Sequence, residues 1–436
     1  MDLKGKRLLL LGAQEMMCSA VTTAKKLGAY TIVADYNEDF PAKKFADEKL
    51  LISTSDIDGL LKACREKKVD GVFSGYSELN QFFTLELCEK GGYPYYGTRE
   101  QVETLAVKDN FKRCCAKYGV PGVPEFTLTE ELLAEDMAKL EYPVIVKPVD
   151  SFSGKGITIC SDESMVAGAV NAAIKQSRAG KFLVEKYMDD EHYDVITAYY
   201  SIQDGKVALD AMVDRYMYSF GTRRLNTALL YPSQYLDRYI KEADAKVRNM
   251  LEQIGVKNGT LFIEGCVNAD GFWFWESGFR LCGAQQQILP SHICGVDIQE
   301  MLICYALTGR MADEDKMCLE DPYFHGKSAC NGVVFINKGT IAEISGIDEI
   351  RNIPGVVNFS PLHAVGSTVS DEDIGTLNQS FARFHIIADS KEELFTKITG
   401  IYDKLKVIST EGDNMVMNTF DFDEMRQEKR WARSGL

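Results

Sequence analysis

The sequence predicts an α/β fold in its first hundred residues and an α+β architecture thereafter, on three observations. Up to about residue 100, short apolar runs alternate with helical stretches, the pattern of a doubly wound parallel sheet. From about Gln101 the alternation gives way to one helix and then to strands joined by turns. Beyond about Met311, strands return around one helical stretch, as expected of a further α+β unit. A chain of 436 residues that is 45% hydrophobic can bury a large core and divides into two to four domains. The expected bounds are 1–100, 101–310 and 311–436.

In order, the first unit reads RLLLLG as a strand, a helix from about Glu15 to Leu27, the strands YTIVAD and LLIS, a helix from Ile57 to Lys67, and the strand GVFSGY. Strand, glycine loop, helix and then Asp35 is the order of a dinucleotide site, where an acid holds a ribose diol. The loop is GAQEMM, however, without the second and third glycines that let backbone approach a pyrophosphate, so Asp35 reads as a polar strand end and hydride transfer is set aside. The second unit opens with the helix VKDNFKRCCAKYGV, closed by Gly119 and Pro121. A long amphipathic helix from about Ser233 to Ile254 leads to the strands TLFIEGCVN and GFWFWES, joined through Ala269, Asp270 and Gly271 as a hairpin. The helix VDIQEMLICYALTG closes the unit near Gly309. The third unit carries the strands NGVVFIN and FARFHIIAD and the helix KEELFTKITGIYDKL.

Composition excludes several classes of function. Acidic residues outnumber basic ones, 64 to 49, and the resulting net charge of −15 repels a nucleic-acid backbone unless a basic patch dominates locally. The one basic run, RQEKRWARSGL, reads as a solvated final helix, with an anion-binding tail as the alternative. The opening MDLKGKRLLLLGA reads as a buried first strand, not a signal peptide, and no segment has the length of a membrane span. Twelve cysteines lie without CxxC pairs, several in apolar strands or helices, which suits buried thiols in a reducing cytoplasm. Neither a nucleic-acid nor a membrane partner is expected.

Against this background a few polar residues interrupt apolar strands. Lys147 ends the run YPVIV and precedes Pro148, which keeps it extended; a buried lysine needs an anion beside it. The loop Ser151, Phe152, Ser153, Gly154, Lys155, Gly156 can aim successive N–H groups at one anion, although a plain glycine turn explains it equally well. It is not a Walker loop, because ITIC continues as a strand and not a helix. Glu185 stands in the strand FLVEKYM. Glu264 and Glu276 lie on the two arms of the hairpin, so that they face one side at close range. Two such carboxylates repel unless a divalent cation bridges them, and Mg²⁺ prefers few carboxylates together with nucleotide phosphate oxygens.

The series Lys108, Lys147, SFSGKG, Glu185, Glu264, Glu276 resembles the ATP-grasp superfamily over roughly residues 5 to 310, and more loosely beyond. The resemblance implies a Rossmann-like preATP-grasp domain, a two-lobed ATP-grasp domain with a mobile lobe at about 115–185, and a C-terminal α+β domain similar to that of amino-acid ligases. It implies ATP and Mg²⁺ (or Mn²⁺). Lys108 and Lys147 reach the phosphates, with Ser153, Gly154, Lys155 and Gly156 as a flap over them. Glu185, Lys186, Tyr187 and Met188 are assigned to the adenine, and His192 to the ribose, a surface histidine being the other reading. Glu264 and Glu276 are the metal ligands, and Arg280 with Lys147 serves the transferring phosphoryl group. The family pattern Glu-x-Asn-x-Arg reads here Glu276, Ser277, Gly278, Phe279, Arg280, so glycine replaces the third ligand. Softer candidates for substrate are Glu78, at a recurrent acidic position or capping a helix; Arg223 and Arg224, in an expected mobile loop as a carboxylate clamp or a solvated pair; and His292, lining the acceptor pocket or, preferably, a satisfied core histidine.

The implied activity is ATP-dependent joining of a small-molecule carboxylate to an amine through an acyl phosphate, by a cytoplasmic homodimer. The alternatives are a carboxylase or carbamoyl-phosphate type of enzyme, and an ATP-binding regulatory protein without turnover.

Overall fold

The computed structural model describes residues 1–150, 156–189, 192–221, 223–429 and 431. Its first layer is the expected parallel sheet, in the order Glu48–Leu50, Tyr30–Ala34, Arg7–Leu11, Gly71–Phe73. Leu8 to Leu11 are fully buried because helices cover both faces. Ser77 caps the helix Glu78–Gly91 by accepting from the Asn80 N–H. One face is completed from far along the chain. The helix Ile298–Thr308, capped by Asp297 and ended by Gly309 at φ 74°, packs so tightly on the strand Gly71–Phe73 that a Cβ at Gly71 would lie 2.0 Å from the Ala306 oxygen. Leu8, Leu10 and Phe73 thus share one core with Ile298, Met301 and Leu302.

A small antiparallel sheet, in the order Glu125–Phe126, Phe182–Lys186, Val144–Pro148, Thr158–Cys160, carries the helix Val166–Gln176 on one face around its own core. The largest sheet runs Phe272–Gly278, Gly259–Val267, Asp194–Gln203, Lys206–Phe220, Arg223–Tyr231, Ser328–Ile336, Ser380–Ala388, Val356–Pro361. The expected break near residue 310 is therefore bridged by main-chain hydrogen bonding, with Leu230 opposite Cys330. The third segment extends the central sheet as well as forming its own core with the helix Lys391–Lys404.

Two expectations change in detail. The 233–254 helix forms as Leu236–Tyr239, a π-helical turn Ile240–Asp244 and Ala245–Gln253. Of the basic C-terminal run, residues 430 and 432–436 lie outside the described residues, and the described part is anchored, not solvated. Its helix, Phe422–Arg426, ends early, and Lys429 reaches Asp194 at 2.9 Å, over the Tyr216 ring, while Arg238 donates to the Trp431 oxygen at 3.1 Å. An acidic, aromatic sheet face holds Lys429. Cys114 and Cys115 are buried helix residues, and all twelve cysteines are unpaired. No helix of the described residues is long and apolar enough to cross a membrane.

Candidate active site

The helix Lys108–Tyr118 lies between the small and the large sheets and extends one lysine to each. Lys108 and Lys112 are four residues apart, hence on one helix face. Lys112 Nζ lies 2.7 Å from Glu185 Oε1 and 2.6 Å from Glu125 Oε2, across the small sheet. Lys147, 5% exposed, approaches the other Glu185 oxygen at 2.5 Å. The buried lysine thus has the anion its sequence context demands. Both Glu185 oxygens are engaged by lysines and the residue is 2% exposed, so its side chain holds cations in place and is not open to a base edge.

Lys108 Nζ is 3.2 Å from Glu276 Oε2. Glu276 stands directly opposite Glu264 in the hairpin register, as the sequence predicted, and directly opposed residues share a face. Glu264 in turn accepts from Arg215 at 2.5 Å. Each carboxylate therefore has its own cation. Burial works against the charge on Glu276, but Lys108, Lys147 and Arg215 outweigh it and bring its carboxyl below the usual range. Burial likewise opposes the charge on Lys108, and Glu276, Glu78 and Glu185 overcome it and raise its pKa.

Gly278 has a packing reason. It pairs with Phe262 across the hairpin, and a Cβ there would lie 2.3 Å from the Phe262 ring. The ring, 6% exposed, fills the space where a longer residue would start, with the Arg280 guanidinium 5.1 Å from its centroid. Two carboxylates in register, with no third side-chain oxygen, fit a divalent ion that takes its remaining ligands from phosphate and water. Among the described residues no set of three or more His, Cys, Asp or Glu could hold a metal by itself.

Beside this hairpin a cavity of about 730 Å³ opens against the first sheet. Glu276, Lys108, Ser277 and Arg280 line one wall; Gly12, Gln14, Asp35 and Tyr76, in loops that follow parallel strands, and Glu78 and Asn80, in the first turn of a helix, line the other. That edge of an open α/β sheet is where loops leave room for ligands. Arg280 Nη2 lies 3.6 Å from Glu78 Oε2. Burial raises the Glu78 pKa to about 7 even though Arg280 and Lys108 pull it down, and the charge of Glu276 adds to the rise.

The remaining candidates lie apart. Ser153, Gly154 and Lys155 fall outside the described residues; Gly156 is at φ 75°, and its neighbour Ile157 lines the cavity. Lys186 points to Glu141 at 3.6 Å, while the Lys186 and Tyr187 N–H groups donate to Pro124 and Pro143, and Met188 is half-buried beside them. His192 is exposed, its ring held by Asp189 at 2.7 Å. Arg223 and Arg224 are not in a mobile loop. They begin a strand opposite Phe220 and Ser219, because pairing continues almost to the hairpin turn, and Arg223 donates to the Ile374 oxygen at 3.1 Å. His292 is neither in the cavity nor in the core: it is exposed on a short helix, bonded to the Ile288 oxygen at 2.8 Å. The sequence reading missed Lys112, Glu125 and Arg215. Only Lys112 carried a signal, its four-residue spacing from Lys108.

Residues 107–308 match the family described as carbamoyl-phosphate synthase L chain, ATP binding domain. The chain is 32% identical over 204 residues to the 2-oxoglutarate carboxylase small subunit of Hydrogenobacter thermophilus, covering 42% of this chain and 43% of that one. It is 28% identical over 202 residues to the formate-dependent phosphoribosylglycinamide formyltransferase of Methanocaldococcus jannaschii, covering 45% and 52%. The match thus spans about half the length of these curated relatives. Among solved structures, the L-amino acid ligase of Bacillus licheniformis superposes with a TM-score of 0.76 at 17% identity, over 93% of this chain and 99% of the other. The biotin carboxylase domain of the Hydrogenobacter thermophilus 2-oxoglutarate carboxylase gives 0.75 at 19%, over 92% and 90%. The hairpin carboxylates and the lysines Lys108, Lys112 and Lys147 all lie in the segment that matches this ATP-binding domain family, and the whole-chain superposition shows the fold that the chain shares with the L-amino acid ligase.

Proposed function

We propose that the protein is an ATP-dependent carboxylate–amine ligase that forms an amide or peptide bond through an acyl phosphate and releases ADP and phosphate. The observation that carries the reading is the opposed pair Glu264 and Glu276, of which Glu276, with Lys108 at 3.2 Å, lines a cavity that also holds Glu78 and Arg280. The name of the L-amino acid ligase whose fold the chain shares is in keeping with it.

In this reading Lys147 and Lys108 bind the nucleotide phosphates from the two sheets, and Lys112 with Glu185 fixes Lys147. Main chain at Lys186 to Met188 borders the adenine. Glu264 and Glu276 hold Mg²⁺ (or Mn²⁺), which when bound supplies charge neutralisation at the phosphoryl oxygens. A substrate carboxylate oxygen attacks the γ-phosphorus, the bond to the β-phosphate oxygen breaks, and ADP leaves. Arg280 and Lys108 stand where charge develops on the transferred group. The amine nitrogen then attacks the acyl carbon, phosphate departs, and the nitrogen gives up its proton; Glu78 faces that cavity as its acceptor. Two copies form the assembly, to be read from sedimentation.

The test is ADP release with Mg²⁺ and ATP against pooled amino acids and small carboxylates, with and without amines, for the wild type and Lys147→Ala. Release that requires an acid and disappears in the variant supports the ligase. Release with bicarbonate alone would favour a carboxylase, and ATP binding without release across the pool would favour a binding protein.

A further inference from the structure

The large sheet carries one more cation on the face that bears Glu264 and Glu276. Directly opposed residues of neighbouring strands share a face, as do residues two apart along one strand. Glu264 stands opposite Thr197, and Thr197 opposite Val213. Arg215, two residues on, stands opposite Leu229, Leu229 opposite Asn331, and Asn331 opposite His385. Arg383 is two residues from His385 on the strand Ser380–Ala388, so it projects from the same side of the sheet as Glu264.

Its surroundings set it apart. Arg215, Arg238, Arg248 and Arg280 each have a carboxylate within 4 Å. Among the described residues Arg383 has none; it donates to Asn331 Oδ1 at 3.2 Å. Burial works against its charge and lowers its pKa, and burial also drives the neighbouring His385 down to about 3, so that the histidine stays neutral. An arginine does not shed its proton at any working pH. The fold therefore holds here a half-buried cation for which it supplies no counter-ion.

The place is built. Asn331, 1% exposed, accepts from Arg383 and donates to the Ala284 oxygen, which fixes the guanidinium against the loop that follows Arg280. In that loop Gln285 is held at φ 55°, a costly conformation for a residue with a side chain, and Gln286 accepts from the Cys282 N–H at 2.8 Å. The buried Gln286 Nε2 makes no hydrogen bond among the described residues. Five strand spacings, roughly 24 Å of main chain, separate Glu264 from Arg383. The charged ends are closer than that. Arg383 reaches over the strand of Asn331, and Cys282 and Tyr199 are electrostatic neighbours of Arg383 on one side and of Glu264 and Arg215 on the other.

We infer that Arg383 anchors a non-reacting carboxylate of an organic substrate whose reacting end lies at Glu276 and Lys108. A guanidinium fork matches a carboxylate with two parallel hydrogen bonds. The inference rests on the ligase reading and names a group that its substrate must carry. Two sources supply that group: an acid with a second carboxylate, or an acceptor amine that is itself an amino acid.

Calorimetric titration of the full chain with Mg²⁺ and a non-hydrolysable ATP analogue tests it. The probes are the protein amino acids with their carboxamides, and the dicarboxylates from malonate to adipate with the monoacids of equal length. Arg383→Met should weaken a probe that carries the anchored carboxylate by about thirtyfold. It should leave the carboxylate-free counterpart and the ATP analogue unchanged, and the unliganded protein should melt no lower than the wild type, because an uncompensated cation is removed. Arg383→Lys, which keeps the charge and loses the fork, should recover part of the affinity. Loss confined to dicarboxylates assigns the anchor to the acid; loss confined to amino acids assigns it to the acceptor. Binding of no probe, a probe bound equally by the wild type and Arg383→Met, or a variant that melts lower and loses the ATP analogue as well overturns the inference. ADP release on the same samples separates the two claims. A probe that binds through Arg383 without turnover in any pairing of acid and amine sinks the ligase and leaves the anchor standing; turnover indifferent to Arg383→Met does the reverse.

Discussion

Gly278 invites the substitution Gly278→Asn, which supplies the asparagine of the pattern that the sequence resembles. The structure predicts that it fails. A Cβ at this position lies 2.3 and 2.4 Å from two atoms of the Phe262 ring, where ordinary contact begins near 3.4 Å, so ring and strand must separate by about an ångström. The ring is 6% exposed and packs in one cluster with Tyr199, Cys282 and Leu289, so moving it toward the cavity it borders gives up that packing. Overpacking of this kind costs about 1–3 kcal/mol. For a domain of ordinary size that lowers the melting temperature by roughly 2–10 °C. Gly278→Ala should show most of the loss, since the first carbon already collides. Phe262→Leu combined with Gly278→Asn should lose less than the sum of the single changes, a coupling of about 0.5–3 kcal/mol. Differential scanning calorimetry measures stability, and Mn²⁺ binding with an ATP analogue, followed by electron paramagnetic resonance, measures the metal. A Gly278→Asn protein as stable as the wild type, or one that binds Mn²⁺ more tightly, would refute the packing account and mark the glycine as a plain loss of a ligand.

Three further outcomes follow from the ion pairs. Glu185→Ala leaves Lys147 and Lys112 without a shared buried partner and should cost about 3–5 kcal/mol; urea denaturation that moves less than about 1 kcal/mol would place the lysines in solvent. Glu78 titrates near 7, well above a free glutamate, so the unfolded chain gives up its proton first and this group lowers stability as pH rises from about 4.5 to 7. Glu78→Gln should therefore gain stability on the wild type across that window, by melting temperature, and remove an ionisation near pH 7 from the kcat/KM profile; parallel melting curves would remove the assignment. Arg215→Met strips Glu264 of its cation and leaves it facing Glu276, so the apo protein should be destabilised and the rise in melting temperature on adding Mg²⁺ with ADP should exceed that of the wild type. An equal rise in both would mean that the metal does not replace the arginine.

What could be read in the sequence was local, and what could not was long-range. The opposition of Glu264 and Glu276 follows from two apolar arms and a turn dipeptide, and the hairpin register realises it. The parallel sheet follows from the same kind of punctuation. Arg215, in contrast, meets a carboxylate 49 residues away, and Lys112 meets one 73 residues away, each across a different strand pair, so no window of sequence contains both partners. Arg223 and Arg224 were misplaced because glycine beside polar residues signals a turn but not how close to it pairing continues. The joining of the third segment to the central sheet, with Leu230 opposite Cys330, has no local signature either.

The same long-range pairs explain how so many charges are held together before any ligand arrives. Among the described residues, each cation of the candidate site sits on a carboxylate: Lys108 on Glu276, Lys147 and Lys112 on Glu185, Arg215 on Glu264, Arg280 on Glu78. Burying any of these alone would be prohibitive, and burying them as pairs is close to neutral. Binding is then an exchange of partners. A metal can relieve Glu264 and Glu276 of their cations while phosphate oxygens take up Lys108, so net desolvation is small for nucleotide and metal together and large for either one alone. The two should accordingly bind with positive coupling of about 1–3 kcal/mol, and by reciprocity Mg²⁺ must tighten the nucleotide by the same factor that the nucleotide tightens Mg²⁺.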